Sequence, residues 1–214
     1  MMTRLFFALL ILATLSGCNN DGNTYALIST NMGDMKVKLY NSTPQHRDNF
    51  IKLAEEGFYD GTLFHRIIAG FMIQGGDPDS KDAPAGQSLG MGGPGYTIPA
   101  EIGALHLTGA LAAARTSNPA KASSGSQFYI VHGKPVTDME LDQIGQRAGR
   151  PYSDIQRELY KELGGTPQLD FEYTVFGEVV EGFEVIDAIA KVSTNPSAGN
   201  RPLEDVKMTV KILN

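Results

Sequence analysis

The chain has 214 residues, of which 42% are hydrophobic and 20% are charged, a balance that suits one globular domain. Its net charge of −6 and the lack of any basic cluster argue against binding to nucleic acids. The 24 glycines and 11 prolines favour a turn-rich, mainly β protein. Cys18 is the only cysteine, so the chain cannot form an internal disulfide, and residues 19–214 contain no thiol nucleophile.

The N-terminal segment has the features of a targeting signal. Arg4 precedes an apolar run from Leu5 to Leu15, which is too short to span a bilayer and is typical of a signal peptide. The run ends in LSGC, which resembles the lipobox of bacterial lipoproteins, in which the cysteine is lipidated. We therefore predict a signal peptide over residues 1–17, lipidation at Cys18 and a lipidated tether over residues 18–24. An ordinary signal peptide with an incidental cysteine is the alternative.

This anchor would place the protein in the bacterial cell envelope. Asn19, rather than aspartate, follows Cys18. By the enterobacterial sorting rule this favours the outer membrane, with the protein facing the periplasm. We expect residues 25–214 to form one functional domain that is monomeric.

The domain is expected to begin with a β-hairpin, in which Tyr25–Thr30 and Met35–Tyr40 flank a four-residue turn. In the second arm apolar residues alternate with lysines, which indicates a strand with one buried face. A helix should follow, with Thr43 as its N-cap, Pro44 in its first turn and Gly57 as its stop.

Near the C-terminus the pattern predicts a second helix over Phe183–Val192 and a last strand over Asp205–Leu213. Short strands separated by glycine-rich loops, with few helices between them, indicate an antiparallel sandwich or barrel.

Residues 137–165 interrupt this β pattern. They contain two capping boxes, one from Thr137 to Glu140 and one from Ser153 to Gln156. We interpret the segment as two short helices inserted beside the β fold, with little part in function. A disordered loop is the alternative.

Two other patterns carry little functional weight. Gly90, Gly92 and Gly95 match the G-x-G-x-x-G of dinucleotide-binding loops, but Pro94 interrupts the motif and no helix can follow it directly. The four histidines lack the close pairing of a zinc site. We expect neither a cofactor nor a metal.

Two stretches place isolated polar residues in apolar surroundings. The stretch FHRIIAGFMIQGGD holds Arg66 and Gln74 within an apolar run. In GSQFYIVHG, strand alternation puts Gln127 and Tyr129 on the face opposite the core. An exposed apolar surface with a few convergent polar groups is typical of a small-ligand or peptide site.

The stretches FHRIIAGFMIQGGD, HLTGALAAARTSNPAKASSGSQFYIVHG and LDFEYTVFGEVVEGFEVID resemble, in order, the signature stretches of the cyclophilins, which are peptidyl-prolyl cis/trans isomerases. The resemblance runs from about Tyr25 to Leu213. It implies a mainly β fold, namely a closed eight-stranded antiparallel barrel capped by two helices, here with a helical insertion at about 137–165. Combined with the anchor, it implies a role in folding exported envelope proteins through their proline-containing segments.

The resemblance also implies roles for individual residues. Arg66 would be the catalytic residue, donating to the prolyl nitrogen. Nine residues would bind the substrate: Phe71, Met72, Gln74, Ala114, Arg115, Gln127, Tyr129, Leu169 and Tyr173. His65 and His106 fall at motif positions, but we expect both to be structural. Phe171 stands where the motif has glycine, which leaves the conformation of that turn open.

Two other functions remain open at this point. A non-catalytic peptide-binding chaperone would keep the pocket without turnover, and a scaffold lipoprotein would use the barrel only as a platform. The combination of Arg66, Phe71 and Gln127 favours the isomerase.

Overall fold

The structure is a computed structural model that describes residues 22–213. The predicted signal peptide, the lipidation site Cys18 and most of the predicted tether lie outside the described residues. Within residues 22–213, none of the helices is both long and apolar enough to cross a bilayer.

The described residues form twelve strands and four α-helices. They are β1 Thr24–Thr30, β2 Gly33–Leu39, α1 Pro44–Glu55, β3 Arg66–Ile68, β4 Met72–Gly75, β5 Thr97–Ile98, β6 Ala110–Ala113, β7 Ser123–Ser124, β8 Phe128–Val131, α2 Asp138–Ala148, α3 Asp154–Leu163, β9 Val175–Glu181, α4 Phe183–Ala190, β10 Thr194–Asn195, β11 Arg201–Pro202 and β12 Met208–Leu213.

Eight strands form one antiparallel sheet in the order β12-β1-β2-β9-β6-β8-β4-β3. The sheet curls into a half-barrel. The prediction of a closed barrel is wrong, because no ladder in the described part of the chain joins the edge strands β12 and β3. Irregular backbone ahead of β3 crosses the seam instead: Phe64 N donates to Val206 O at 2.9 Å, and Met208 N donates to Thr62 O at 2.8 Å. The edge of β3 that does not pair with β4 faces a loop instead, and there Ile67 N donates a hydrogen bond to Asn200 O.

One face of the sheet packs against α1 and α4, the two covering helices that the sequence predicted. The ring of Phe50, on α1, lies 5.1 Å from Tyr59, 5.7 Å from Phe128 and 5.5 Å from Phe176 between centroids. Four residues of α4 are buried: Val185, Ile186, Ile189 and Ala190. Packing against these helices determines which side chains of each strand point into the core and which point outward.

The first hairpin turns more tightly than expected. Thr30 pairs directly with Gly33, so the turn consists of Asn31 and Met32 alone. Gly33 permits this because its φ of 130° suits glycine, and a Cβ there would lie 2.8 Å from a methyl group of Val185.

The start of α1 is capped by a distant side chain. Thr43 occupies the N-cap position, but its hydroxyl donates to Tyr40 O and accepts nothing from the helix, so the predicted side-chain cap is wrong. The carboxylate of Glu101 accepts from the amides of Gln45 at 3.2 Å and His46 at 3.0 Å, and it lies 2.7 Å from His46 Nδ1. A carboxylate at a helix N-terminus satisfies free amides and interacts favourably with the helix dipole.

The insertion contains the two helices that the sequence predicted, α2 and α3, and is not a disordered loop. Both capping boxes are present, with Thr137 and Ser153 as N-caps. The helices are joined by ion pairs, including Arg157 Nη2 to Asp142 Oδ1. Between them and the sheet lies a small apolar core of Val136, Leu141, Tyr152 and Tyr160, packed against Leu105, Leu107, Ile144 and Phe171.

We predict that Glu101→Gln destabilises the domain by about 1–2 kcal/mol, because it removes the charge that caps α1 and pairs with His46. The measurement is the free energy of unfolding from chemical denaturation. Glu55→Gln, on the exposed side of the same helix, is the matched control and should change stability by less than about 0.5 kcal/mol. Equal effects of the two substitutions would contradict the capping role.

Candidate functional site

The register of four strands places a row of side chains on the outer face of the sheet. Arg66 of β3 pairs with Gln74 of β4, Gln74 pairs with Tyr129 of β8, and Tyr129 pairs with Ala112 of β6. Directly paired residues point to the same face of a sheet. Ala112 is fully buried but carries only a methyl group, so it leaves room beside the ring of Tyr129.

A chain of hydrogen bonds holds the polar members of this surface. Arg66 Nη1 donates to Gln74 Oε1 at 3.2 Å, and Gln74 Nε2 donates to Gln127 Oε1 at 3.1 Å. Gln127 Nε2 then donates to Gly92 O at 2.7 Å. The half-buried guanidinium of Arg66 is therefore oriented by the amide of Gln74, and Gln127 in turn holds that amide in place. Burial lowers the pKa of Arg66 while Tyr173 acts in the opposite direction, and a guanidinium remains charged at neutral pH.

Beside Arg66 lies a cavity of about 120 Å³. Nine of the ten predicted site residues line it: Arg66, Phe71, Met72, Gln74, Ala114, Arg115, Tyr129, Leu169 and Tyr173. The tenth, Gln127, lines an adjoining groove of about 410 Å³ together with the glycine-rich loop at residues 90–95. Gln74, Ala114 and Arg115 border both spaces and so form the ridge between them.

Arg115 is held in place by the segment after the insertion. Its Nε donates to Glu172 O at 3.0 Å and its Nη2 lies 3.0 Å from Glu172 Oε2. Lys121 Nζ reaches the other oxygen of the same carboxylate at 2.7 Å. The guanidinium also stacks 4.6 Å above the ring of Tyr173. Arg115 is thus a fixed wall whose charge Glu172 partly balances.

Phe171 adopts the left-handed conformation, with φ of 65°, that the glycine of the motif would allow at lower cost. Its ring packs 6.1 Å from Tyr152, and the guanidinium of Arg150 lies 5.1 Å from its centre. Contacts with the insertion therefore support this strained turn, which carries Leu169 and Tyr173 to the cavity.

Sequence reasoning missed a buried group behind the cavity. His106 Nδ1 lies 2.9 Å from Asp170 Oδ1, and His106 Nε2 lies 3.0 Å from the hydroxyl of Tyr129. Asp170 Oδ2 accepts from the hydroxyls of Tyr152 at 2.8 Å and Tyr160 at 2.6 Å. The sequence had indicated a structural role for His106 alone, which its buried contacts agree with. The position of Asp170 directly after Leu169 was a further signal, but the two tyrosines belong to the insertion and gave none.

His65 lies next to Arg66 but points away from the cavity. It is buried, and neither ring nitrogen has a hydrogen-bond partner in the described residues. Burial lowers the pKa of His65 to about 4. Asp77 and the backbone of Leu63 oppose this shift, whereas the charges of Arg66 and Arg201 add to it. Within residues 22–213, no group of three or more His, Cys, Asp or Glu residues could hold a metal ion.

We predict that His65 makes the fold sensitive to acid. Because its folded pKa of about 4 lies below the unfolded value of 6.5, the unfolded chain binds more protons, and stability falls as the pH drops from about 6.5 to about 4. Between pH 7 and pH 5 the loss due to His65 should be about 2 kcal/mol. Denaturation of wild type and His65→Gln at both pH values measures it. An equal loss in the two proteins would refute this role.

The sequence of this chain is similar to those of known proteins. A family model described as cyclophilin type peptidyl-prolyl cis-trans isomerase/CLD matches residues 25–212. A curated protein of Staphylococcus aureus (strain USA300), named "Putative peptidyl-prolyl cis-trans isomerase", is 38% identical over 186 residues, which are 86% of this chain and 89% of that protein. A protein of the same name from Staphylococcus epidermidis is 37% identical over 187 residues, 87% of this chain and 89% of its own.

Solved structures are similar as well. The crystal structure of a Cryptosporidium parvum cyclophilin type peptidyl-prolyl cis-trans isomerase matches with a TM-score of 0.64 and 26% identity, over 90% of this chain and 98% of that chain. A second crystal structure of that protein, in the presence of the dipeptide Ala-Pro, matches with a TM-score of 0.63 and 26% identity, over 89% of this chain and 99% of that one.

Proposed function

This chain belongs to the cyclophilin-type peptidyl-prolyl cis-trans isomerases, and from that premise we propose that it catalyses the isomerisation with Arg66 as the catalytic residue. The observation that carries the proposal is the guanidinium of Arg66, held by Gln74 at the border of a small cavity that has both apolar and polar walls.

The reaction needs no nucleophile and no cofactor. An X-Pro amide resists rotation because its C–N bond has partial double-bond character, with a barrier of about 18–20 kcal/mol. At the transition state the amide is twisted, and its nitrogen regains a lone pair that can accept a hydrogen bond. A donor aimed at that nitrogen therefore stabilises the twisted state more than the planar one, as catalysis requires.

Arg66 is suited to this task by its geometry. A guanidinium has five N–H donors in one plane, and the bond to Gln74 uses one of them. Because Gln127 holds Gln74 in turn, little reorganisation is needed when the substrate amide twists. A lysine would keep the charge but would lose the fork that can reach Gln74 and the prolyl nitrogen together.

We assign the cavity to the proline ring and the adjoining groove to the residues that precede it. The cavity is far below the usual size of sites for drug-sized ligands, which suits a single small ring. Apolar walls such as Phe71, Met72 and Leu169 would remove water from the planar amide, which is the more polar state. The crystal structure of a relative in the presence of Ala-Pro supports a ligand of this class.

We predict that Arg66→Ala lowers kcat/KM for an X-Pro peptide by at least ~100-fold, roughly 2.7 kcal/mol, the low end for removing one preorganised donor. Arg66→Lys should recover only part of the rate. Binding of a proline peptide should weaken less than turnover, because the donor matters most in the twisted state. The measurement is a proline-isomerisation assay on residues 25–214.

The control is Arg147→Ala, an exposed position on α2 that should keep full activity, with circular dichroism to verify folding. An active wild type with a fully active Arg66→Ala would reject the proposed mechanism. A wild type that binds proline peptides without turnover would favour the chaperone alternative.

We further propose that the protein acts on proline-containing segments of exported proteins while anchored to the bacterial envelope through Cys18. The support is the sequence alone: a short apolar run after Arg4 that ends in LSGC. Outer-membrane sorting with the domain in the periplasm is part of the same proposal.

We expect Cys18→Ala to release the protein into the soluble fraction or to stall its processing, because the acyl acceptor is lost. Cell fractionation of the full-length chain measures this. In an enterobacterial host Asn19→Asp is the matched variant: it keeps the cysteine and should retain the protein in the inner membrane. Identical fractionation of wild type and Cys18→Ala would contradict lipidation.

A further inference from the structure

The insertion is joined to the proline cavity by a buried hydrogen-bond network. We define this tyrosine network by its five members: Tyr152, Tyr160, Asp170, His106 and Tyr129. Two members belong to the insertion, and Tyr129 lines the cavity, so the network leads from one to the other. All five side chains are buried, with exposures of 0% to 5%.

The carboxylate of Asp170 is the centre of the network, and each donor around it bonds to one of its two oxygens. Oδ1 accepts from the backbone amide and Nδ1 of His106, both at 2.9 Å. Oδ2 accepts from the hydroxyls of Tyr160 at 2.6 Å and Tyr152 at 2.8 Å. Four donors match the four acceptor positions of a carboxylate. A buried carboxylate deprived of one of them would have to move or remain unsatisfied.

The network determines the orientation of Tyr129. Since a carboxylate can only accept, His106 Nδ1 carries a proton, and in the neutral ring Nε2 is then an acceptor. The hydroxyl of Tyr129 lies 3.0 Å from this nitrogen, and burial raises the pKa of Tyr129, so the phenol stays protonated and can donate. The ring of Tyr129 is therefore held from behind, and it meets the ring of Tyr173 in a T-shaped arrangement with 5.9 Å between the centroids.

The end of the insertion is packed tightly against the same histidine. Thr166 N donates to His106 O at 2.8 Å, and a Cβ on Gly165 would collide with His106 O and with the ring of Tyr160. The hydroxyl of Tyr152 also lies 3.0 Å from Pro167 O, at the start of the turn that carries Leu169. A shift of α3 would thus be transmitted to His106 directly.

We infer that Tyr160 and Tyr152 of the insertion are positioning residues for proline binding, which act through Asp170 and His106 on the hydroxyl of Tyr129. This inference rests on the proposed function of the cavity, and it replaces the minor role that we expected for residues 137–165. Because Tyr129 lines the proposed proline cavity, it would contact the substrate ring in the planar and twisted states alike, so its misplacement should weaken binding more than turnover.

The test compares Tyr160→Phe and Tyr152→Phe, which keep the rings and delete the hydroxyls, on an Ala-Pro-containing peptide. We expect KM to rise about three- to tenfold with kcat within about twofold of wild type, whereas Arg66→Ala should lower kcat. Tyr59→Phe, a buried tyrosine of the main core whose hydroxyl has only a 3.4 Å contact with Ser126 O, is the matched control and should leave both constants unchanged.

A double-mutant cycle separates positioning from general stability. If Tyr160 acts through the hydroxyl of Tyr129, its effect should nearly vanish in a Tyr129→Phe background. The same KM increase in both backgrounds, or a Tyr160→Phe enzyme indistinguishable from wild type, would overturn the inference.

A spectroscopic measurement tests the network without any turnover. In ¹⁵N-histidine NMR spectra His106 should be protonated at Nδ1, and Asp170→Asn or Tyr160→Phe should shift its resonances. Spectra of protein labelled on tyrosine should show a matching shift of the Tyr129 ring. Unchanged spectra would overturn the inference even if the enzyme is active. Shifted spectra together with an inactive wild type would leave the network standing and refute the proposed function of the cavity instead.

Discussion

The site depends on the register of β3, β4, β8 and β6 in one sheet. Because side chains alternate between faces, a slip of one residue in any of these strands would send Arg66, Gln74 or Tyr129 into the core and an apolar residue outward. The core prevents this, since Phe128 and Ile130 are buried on its side of β8. Hydrophobic packing on the inner face therefore fixes the register that orders the polar side chains on the outer face.

The outer face combines two components. One is an apolar wall, and the other is Arg66, a hydrogen-bond donor whose direction is fixed. Small residues of β6, such as Ala112, allow large rings from neighbouring segments to close over the strand. Gln74 and Gln127 then orient Arg66 through neutral amides, and no carboxylate within residues 22–213 forms an ion pair with its guanidinium. Arg115, in contrast, has a carboxylate partner in Glu172 and serves as a wall. Two arginines in one site therefore have different electrostatic roles because their partners differ.

The insertion adds a small core of its own to the domain. Its helices are capped and joined by local interactions, but its tyrosines satisfy a carboxylate that lies beyond the insertion itself. A buried charge has to be fully hydrogen-bonded, and here the partners come from segments far apart in the chain. This is why Asp170 and His106 form a rigid support behind Tyr129.

The sequence by itself determined the features that depend on local pattern: the alternation of the last strand, the helices α1 and α4, and both capping boxes. The residues around the cavity were expected from the resemblance of three stretches to a known family, and nine of the ten line it. Only the tertiary structure decided the open seam between β12 and β3, the cap of α1 and the surroundings of Asp170. The reason is the range of the interactions. Helix and strand periodicity involve near neighbours, whereas Glu101 reaches His46 across 55 positions and Tyr160 reaches the amide of His106 across 54. Such contacts arise only when packing brings distant segments together, and no local pattern records which distant partner a buried polar group will find.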